Sequence, residues 1–319
     1  MCFSVKKQEE SGFKKAGSVV LLVVQIAVGL LKFAGYVLLI FILIALLGSF
    51  IPQDISSGNI AVIPIVGVIS TGDSGFSQGT NSESIIEFID DAKEDSSIKA
   101  ILLDIDSPGG TPVATDEIAQ AVKETDKPIV AVIRESGASG AFWIATSADY
   151  VFANRMSITG SIGVQASHLE FGGFLEEHNV TYRRLTAGKY KDIGTIWKEM
   201  TPEEEAVYQL VLDKLHEEFI SAVAENRKLE VSYVRNLSTG LVFLGSEAKK
   251  LGLIDALGNK KDALSYLEQT LNITAEPVEY SKHEGFLQSL TGLTSSGFYQ
   301  MGRGIGSSLE KEQQVTLTS

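Results

Sequence analysis

Hydrophobic positions along the chain follow two regimes. Residues 18–51 read SVVLLVVQIAVGLLKFAGYVLLIFILIALLGSFI, apolar almost throughout and broken by one charge, Lys32. From about residue 60 onward, short apolar runs alternate with amphipathic stretches, the rhythm of an α/β domain. The runs at 60–69, 99–105, 128–133, 149–153 and 182–186 are mostly rich in β-branched residues and predict strands. Between them, 81–93 predicts a helix capped by Asn81, with Ile85, Ile86, Phe88 and Ile89 on its apolar face. The clearest helix is 201–227. Thr201, Pro202 and Glu204 make a capping box with proline at the first helical position, and Val207, Leu210, Val211, Leu215 and Phe219 follow at helical spacing.

The first regime is membrane material. About 20 apolar residues cross the hydrocarbon core as a helix, so roughly 34 are too many for one straight span and too few for two. Either one long tilted helix runs through, or an interfacial segment up to about Lys32 leads into a span at 34–51. The snorkelling reach of Lys32 and the bends that Gly29 and Gly35 permit favour the second. A cleaved signal peptide would instead carry an apolar region of only about 7–15 residues. Lys6, Lys7, Lys14 and Lys15 precede the segment, so the positive-inside bias places an N-terminus of 1–17 in the cytoplasm and the rest beyond the cell membrane. A linker at 52–58, a folded domain at 59–275 and a Gly/Ser-rich tail at 276–319 complete the expected organisation.

Charge narrows the choice of partners. A net charge of −13 argues against nucleic acid, which needs clustered Lys and Arg. The one cysteine, Cys2, excludes a disulfide framework or a thiolate metal site, and at the terminus it is open to acylation or to no modification. His168, His178, His216 and His283 share no metal-binding spacing, so neither metal nor cofactor is expected.

Two turns carry the candidate chemistry. ILLDIDSPGGT (101–111) reads as a buried strand ending at Ser107-Pro108-Gly109-Gly110, where glycines let backbone amides approach a developing oxyanion. The same tetrapeptide also suits an ordinary turn closing a βα unit. PIVAVIRESGASGAFWIATSA (128–148) reads as strand, Gly/Ser turn and helix, with Ser139 at the helix start and the Gly140 amide directed at any oxyanion formed there. GASGA alone is also compatible with a close helix crossing. A serine nucleophile needs a base. No histidine stands in a triad context, and the stronger candidate is Lys191 in LTAGKYKDIGT (185–195). Lowering a lysine from ~10.4 to about 7 takes about 5 kcal/mol in favour of the neutral amine, which an apolar pocket can supply. Asp192 opposes this only if it faces the same side. Taken alone, Lys191 also reads as a surface lysine.

Together these runs resemble the signal peptide peptidase A family of serine proteases, of the Clp-protease/crotonase superfold. The likeness covers roughly 60–270. It rests on SPGG at 107–110, ASGA at 138–141, TGSIGV at 159–164, GKYKD at 188–192 and MTPEE at 200–204, in the order and spacing of single-repeat members. It implies an α/β peptidase domain of repeated ββα units at 59–275 behind an N-terminal transmembrane helix. Ser139 would be the nucleophile, Lys191 the general base, Ser161 the hydroxyl that orients the lysine amine, and Gly110 and Gly140 the oxyanion-hole amides. It further implies a ring- or dome-shaped homo-oligomer with the dyad shared between protomers, and peptide substrates such as released signal peptides. One departure stands after Gly140, where Ala141, Phe142 and Trp143 replace the family's usual glycine and two tyrosines. The competing expectations are a stomatin-associated membrane protease of the Clp class, a crotonase-like acyl-CoA enzyme, and a non-catalytic scaffold.

Overall fold

The structure is a computed structural model that describes residues 25, 28–41, 43, 58–72 and 79–281. Residues Ile55–Lys282 form one compact unit. Its frame is six parallel strands: β1 (Ile60–Val66), β4 (Ala100–Ser107), β5 (Ile129–Ala138), β6 (Tyr150–Ala153), β9 (Ala256–Leu257) and β10 (Pro277–Glu279). They lie in the order β10-β1-β4-β5-β6-β9. Two further strands extend the sheet, β7 (Ile158–Gly160) parallel to the end of β5 and β8 (Val242–Leu244) antiparallel to β7. β2 (Val68–Ser70) and β3 (Gly79–Asn81) make a separate parallel pair.

Strand periodicity builds two cores. Ala61, Ile63, Ile65, Ile101, Leu103 and Ile105 face one side, Ile60, Val62, Ala100 and Leu102 the other, as alternate side chains on a pleated strand must. The first face is covered by α2 (Ser82–Glu94), α3 (Pro112–Lys123), α4 (Gly140–Thr146) and the C-terminal half of α6 (Pro202–Arg227). The second is covered by Ala263 and Leu267 of α9 (Lys260–Leu271). Three short helices, α5 (Gly172–Glu177), α7 (Val231–Leu237) and α8 (Gly245–Lys250), fill the connections.

Asn81 caps α2 through the Glu83 N–H, and Thr201 and Glu204 close the capping box of α6. Elsewhere the structure departs from the expectation. The segment 182–186 is not a strand: it has no neighbouring strand to complete a ladder, and Arg184 is held instead by an ion pair to Asp192 at 2.6 Å. The apolar stripe of α6 is covered only from Phe219 onward, and Leu210 and Val211 stay more than half exposed. The tail expected from 276 begins later, because β10 pairs with β1 (Ile60↔Pro277, Val62↔Glu279) and Tyr280 N–H donates to Val62 O.

The N-terminal region is described in part. Helix α1 runs through 28–41 and continues past Gly29, Lys32 and Gly35; two glycines among strong helix formers cost too little to interrupt it. Among the described residues no helix is long and apolar enough to cross a membrane. The remainder of 18–51, the linker up to 57 and the tail from 282 lie outside the described residues.

Candidate active site

Ser139 sits between β5 and α4 with φ 52° and ψ −128°, a backbone conformation that a residue with a Cβ rarely adopts and that costs about 1–3 kcal/mol. Two contacts hold it there: its N–H donates to Gly160 O at 2.8 Å, and its carbonyl accepts from Phe142 and Trp143 of α4. The hydroxyl caps nothing in the helix, so it is left for other work. This is the sharp strand-to-helix turn that lifts a nucleophile above a sheet.

The SPGG turn is pressed against it. A Cβ on Gly109, which has φ +101°, would lie 2.7 Å from Gly140 N and 2.8 Å from Ser139 Cβ. Only glycine permits that approach. Ser107, fully buried, donates from Oγ to Gly67 O at 2.6 Å and accepts from Gly109 N–H, which fixes the turn. Gly110 is bridged to β2: Ile69 N–H donates to Gly109 O at 3.0 Å and Thr111 N–H to Ile69 O at 2.9 Å. In a parallel bridge the central residue's own amide faces away from the partner strand. Among the described residues the amides of Gly110 and Gly140 have no acceptor.

Ser139, Gly140, Gly110 and Ser161 line one cavity of about 1180 Å³. Ser161 also has positive φ (51°), is anchored by its N–H to Leu241 O at 3.0 Å, and carries its Oγ 3.5 Å from Gly240 O, a long contact that leaves the hydroxyl free to turn. Four of the five predicted site residues therefore come together. The fifth does not. Lys191 is exposed in a turn after Gly188 and is not among the cavity walls. Its neighbours are nonetheless sorted. Arg184 takes the Asp192 carboxylate, while Glu203 binds Lys189 and holds that ammonium above its usual value. Of the two lysines in GKYKD, Lys191 is the one whose amine has no partner among the described residues.

Two residues of this cavity escaped the sequence reading. Thr115 of α3 is 1% exposed, its Oγ1 has no hydrogen-bond partner, and it would sit 2.2 Å from a Cβ on Gly140. His216 of α6 lines the same cavity, with Nε2 buried and unpaired. Helical spacing puts both on faces that look like ordinary packing, and only the arrangement of α3, α4 and α6 brings them to the cavity that Ser139 lines.

Residues 121–274 match the family described as Peptidase family S49. A Methanocaldococcus jannaschii protein with the provisional name of a protease is 36% identical over 241 residues, which is 75% of this chain and 77% of that one. An Enterococcus faecium protein provisionally named as signal peptide peptidase SppA is 32% identical over 248 residues, 75% and 72% of the two chains. Protease 4 of Haemophilus influenzae is 29% identical over 217 residues, and the likeness covers 67% of this chain and 35% of that longer one.

Proposed function

Because the chain belongs to peptidase family S49, the signal peptide peptidase A family, and is a serine-type peptidase, we propose that it hydrolyses peptides with a Ser139–Lys191 dyad completed between neighbouring protomers. The observation that carries this reading is the strained Ser139 turn, with its free hydroxyl in one cavity with Ser161 and two unused amides. The parallel sheet with its SPGG turn agrees with a Clp-protease/crotonase type of domain.

In this mechanism the neutral Lys191 amine takes the Ser139 proton as Oγ attacks the peptide carbonyl. The amides of Gly110 and Gly140 hold the oxyanion, and the lysine returns the proton to the leaving amine. Water, deprotonated by the same amine, then releases the acyl group and restores Ser139. Ser161 orients the amine. The exposure of Lys191 supports its reaching a second protomer's cavity, as do the apolar side chains left uncovered between residues 169 and 210, Leu169 (70% exposed), Leu185 (90%) and Leu210 (59%). A ring of heterologous contacts buries such surface and dries the amine. The apolar run at 18–51, with Leu31 and Phe33 of α1 exposed, supports a membrane anchor that leaves 1–17 in the cytoplasm and the peptidase domain outside. Released signal peptides are the substrates that such a location offers.

The test is cleavage of a fluorogenic peptide by the full-length chain, with labelling by a fluorophosphonate as second readout. Ser139→Ala and Lys191→Ala are each expected to lose cleavage, and Ser139→Ala to lose the label. Cleavage at the native rate in either variant rejects the dyad.

A further inference from the structure

The cavity does not stop at Ser139. It continues as a groove between α3 and α6, floored by Trp143 and Phe219, whose rings stack at 5.2 Å. Along α3 it runs from Val113, beside the SPGG turn, to Lys123. That is about 15 Å of helix, enough for four or five residues of extended peptide at about 3.3 Å each. An ion pair between Lys123 and Glu225 at 3.1 Å bridges the far end.

Charge along the groove is one-sided. Lys123 and Glu225 cancel, which leaves Asp116 on α3 and Glu218 on α6. Asp116 accepts from the Gln120 amide at 2.6 Å, a neutral donor that leaves its charge in place, and Glu218 has no cation within pairing distance among the described residues. At the Ser139 end, against Gly140, the Thr115 hydroxyl is buried and unpaired. We propose that this groove is an extended substrate subsite that selects peptides carrying a lysine or arginine within about five residues of the scissile bond. Asp116 and Glu218 each stand seven residues, about 10 Å of helix, before the Lys123–Glu225 ion pair, which puts them at a similar level on the two walls of the groove. One cationic side chain of a peptide laid along it can meet both carboxylates over an apolar floor, where their field is screened less than in open water. The inference rests on the serine peptidase reading of Ser139.

The experiment uses the full-length chain and one peptide sequence into which Lys, Gln or Glu is placed in turn, two to five residues from the cleaved bond on either side. The readout is the ratio of kcat/KM for the Lys peptide to that for the Glu peptide. At low ionic strength the ratio is expected to reach at least tenfold at the best position and to shrink toward one near 1 M salt. Glu218→Lys is expected to bring it below one, and Asp116→Asn to lower it at the same peptide position. A ratio of one or less at every position in the native chain, or a ratio that Glu218→Lys leaves unchanged, overturns the proposal. Ser139→Ala separates the two possible failures. Cleavage retained there rejects the serine reading, and with it the groove, as does a native chain that cleaves none of the peptides; a flat ratio with Ser139-dependent cleavage rejects the groove alone.

Discussion

Gly110→Ala tests the geometry of the two turns directly. A methyl group on Gly110 would lie 1.9 Å from the Ile69 carbonyl oxygen, 2.5 Å from its carbon and 2.6 Å from its nitrogen. All three are backbone atoms, so no rotamer change relieves the clash, and the turn must move by about 1.5 Å to reach ordinary contact. That displacement breaks the two bridge hydrogen bonds, Ile69 N–H to Gly109 O and Thr111 N–H to Ile69 O. At about 1 kcal/mol net for each bond, the fold loses about 2 kcal/mol, which for a domain of this size lowers the melting temperature by about 4–8 °C. The catalytic loss is larger than the loss of stability. An oxyanion donor works only within about 2.7–3.1 Å of its target, and removing one costs about 10²–10³ in kcat. The assay is peptide cleavage at saturating and limiting substrate, alongside thermal unfolding of the same preparation. The expected variant is folded, melts a few degrees lower, keeps KM within a few-fold and loses at least a hundredfold in kcat. A variant with native kcat and native melting temperature would refute both the packing of Gly110 on β2 and its oxyanion role.

Two further predictions concern the scaffold. Glu204 is held down to about 2, first by the Lys198 ammonium at 2.6 Å and then by the Thr201 N–H that it accepts in the capping box. Since its folded value lies below the ordinary 4.5, the stabilisation is complete above about pH 4.5 and is lost as the pH falls through about 2. Glu204→Gln should therefore melt below the native chain at pH 6, with the gap closing toward pH 2; a gap independent of pH would contradict this. Asp255 binds Arg227 through both oxygens, at 2.7 and 2.8 Å, and also accepts the Val151 N–H. Arg227 is 8% exposed, so Asp255→Ala strands a buried guanidinium and should cost about 3 kcal/mol, read as a lower urea midpoint at unchanged slope.

What the sequence made legible was local. Period-two runs of Val and Ile mark the central strands, and the Asn81 and Thr201 caps mark the starts of α2 and α6, because each signal is written within a few residues of the structure it specifies. The Ser139 and SPGG turns were legible for the same reason, since glycine spacing reports backbone geometry directly. The segment 182–186 misled because two arginines flanked by Tyr182 and Leu185 have strand-like composition, yet a strand exists only where a partner strand is offered. Helix α6 misled in the other direction, its apolar stripe at Leu210 and Val211 continuing past the core of its own domain. Thr115 was unreadable because its significance lies in the crossing of α3 over Gly140, a contact between residues on different helices that no local pattern records.

The account's central claim, a serine and a lysine meeting across a protomer boundary, is tested most directly by complementation. Full-length Ser139→Ala and Lys191→Ala chains, each inactive alone, are co-purified as mixed assemblies and assayed on one fluorogenic peptide. With random mixing around a ring of heterologous contacts, roughly a quarter of the boundaries join an intact serine to an intact lysine. Activity recovered to about that fraction of the native rate is the expected result. Co-assembled chains that remain as inactive as either variant alone would contradict a dyad shared between protomers.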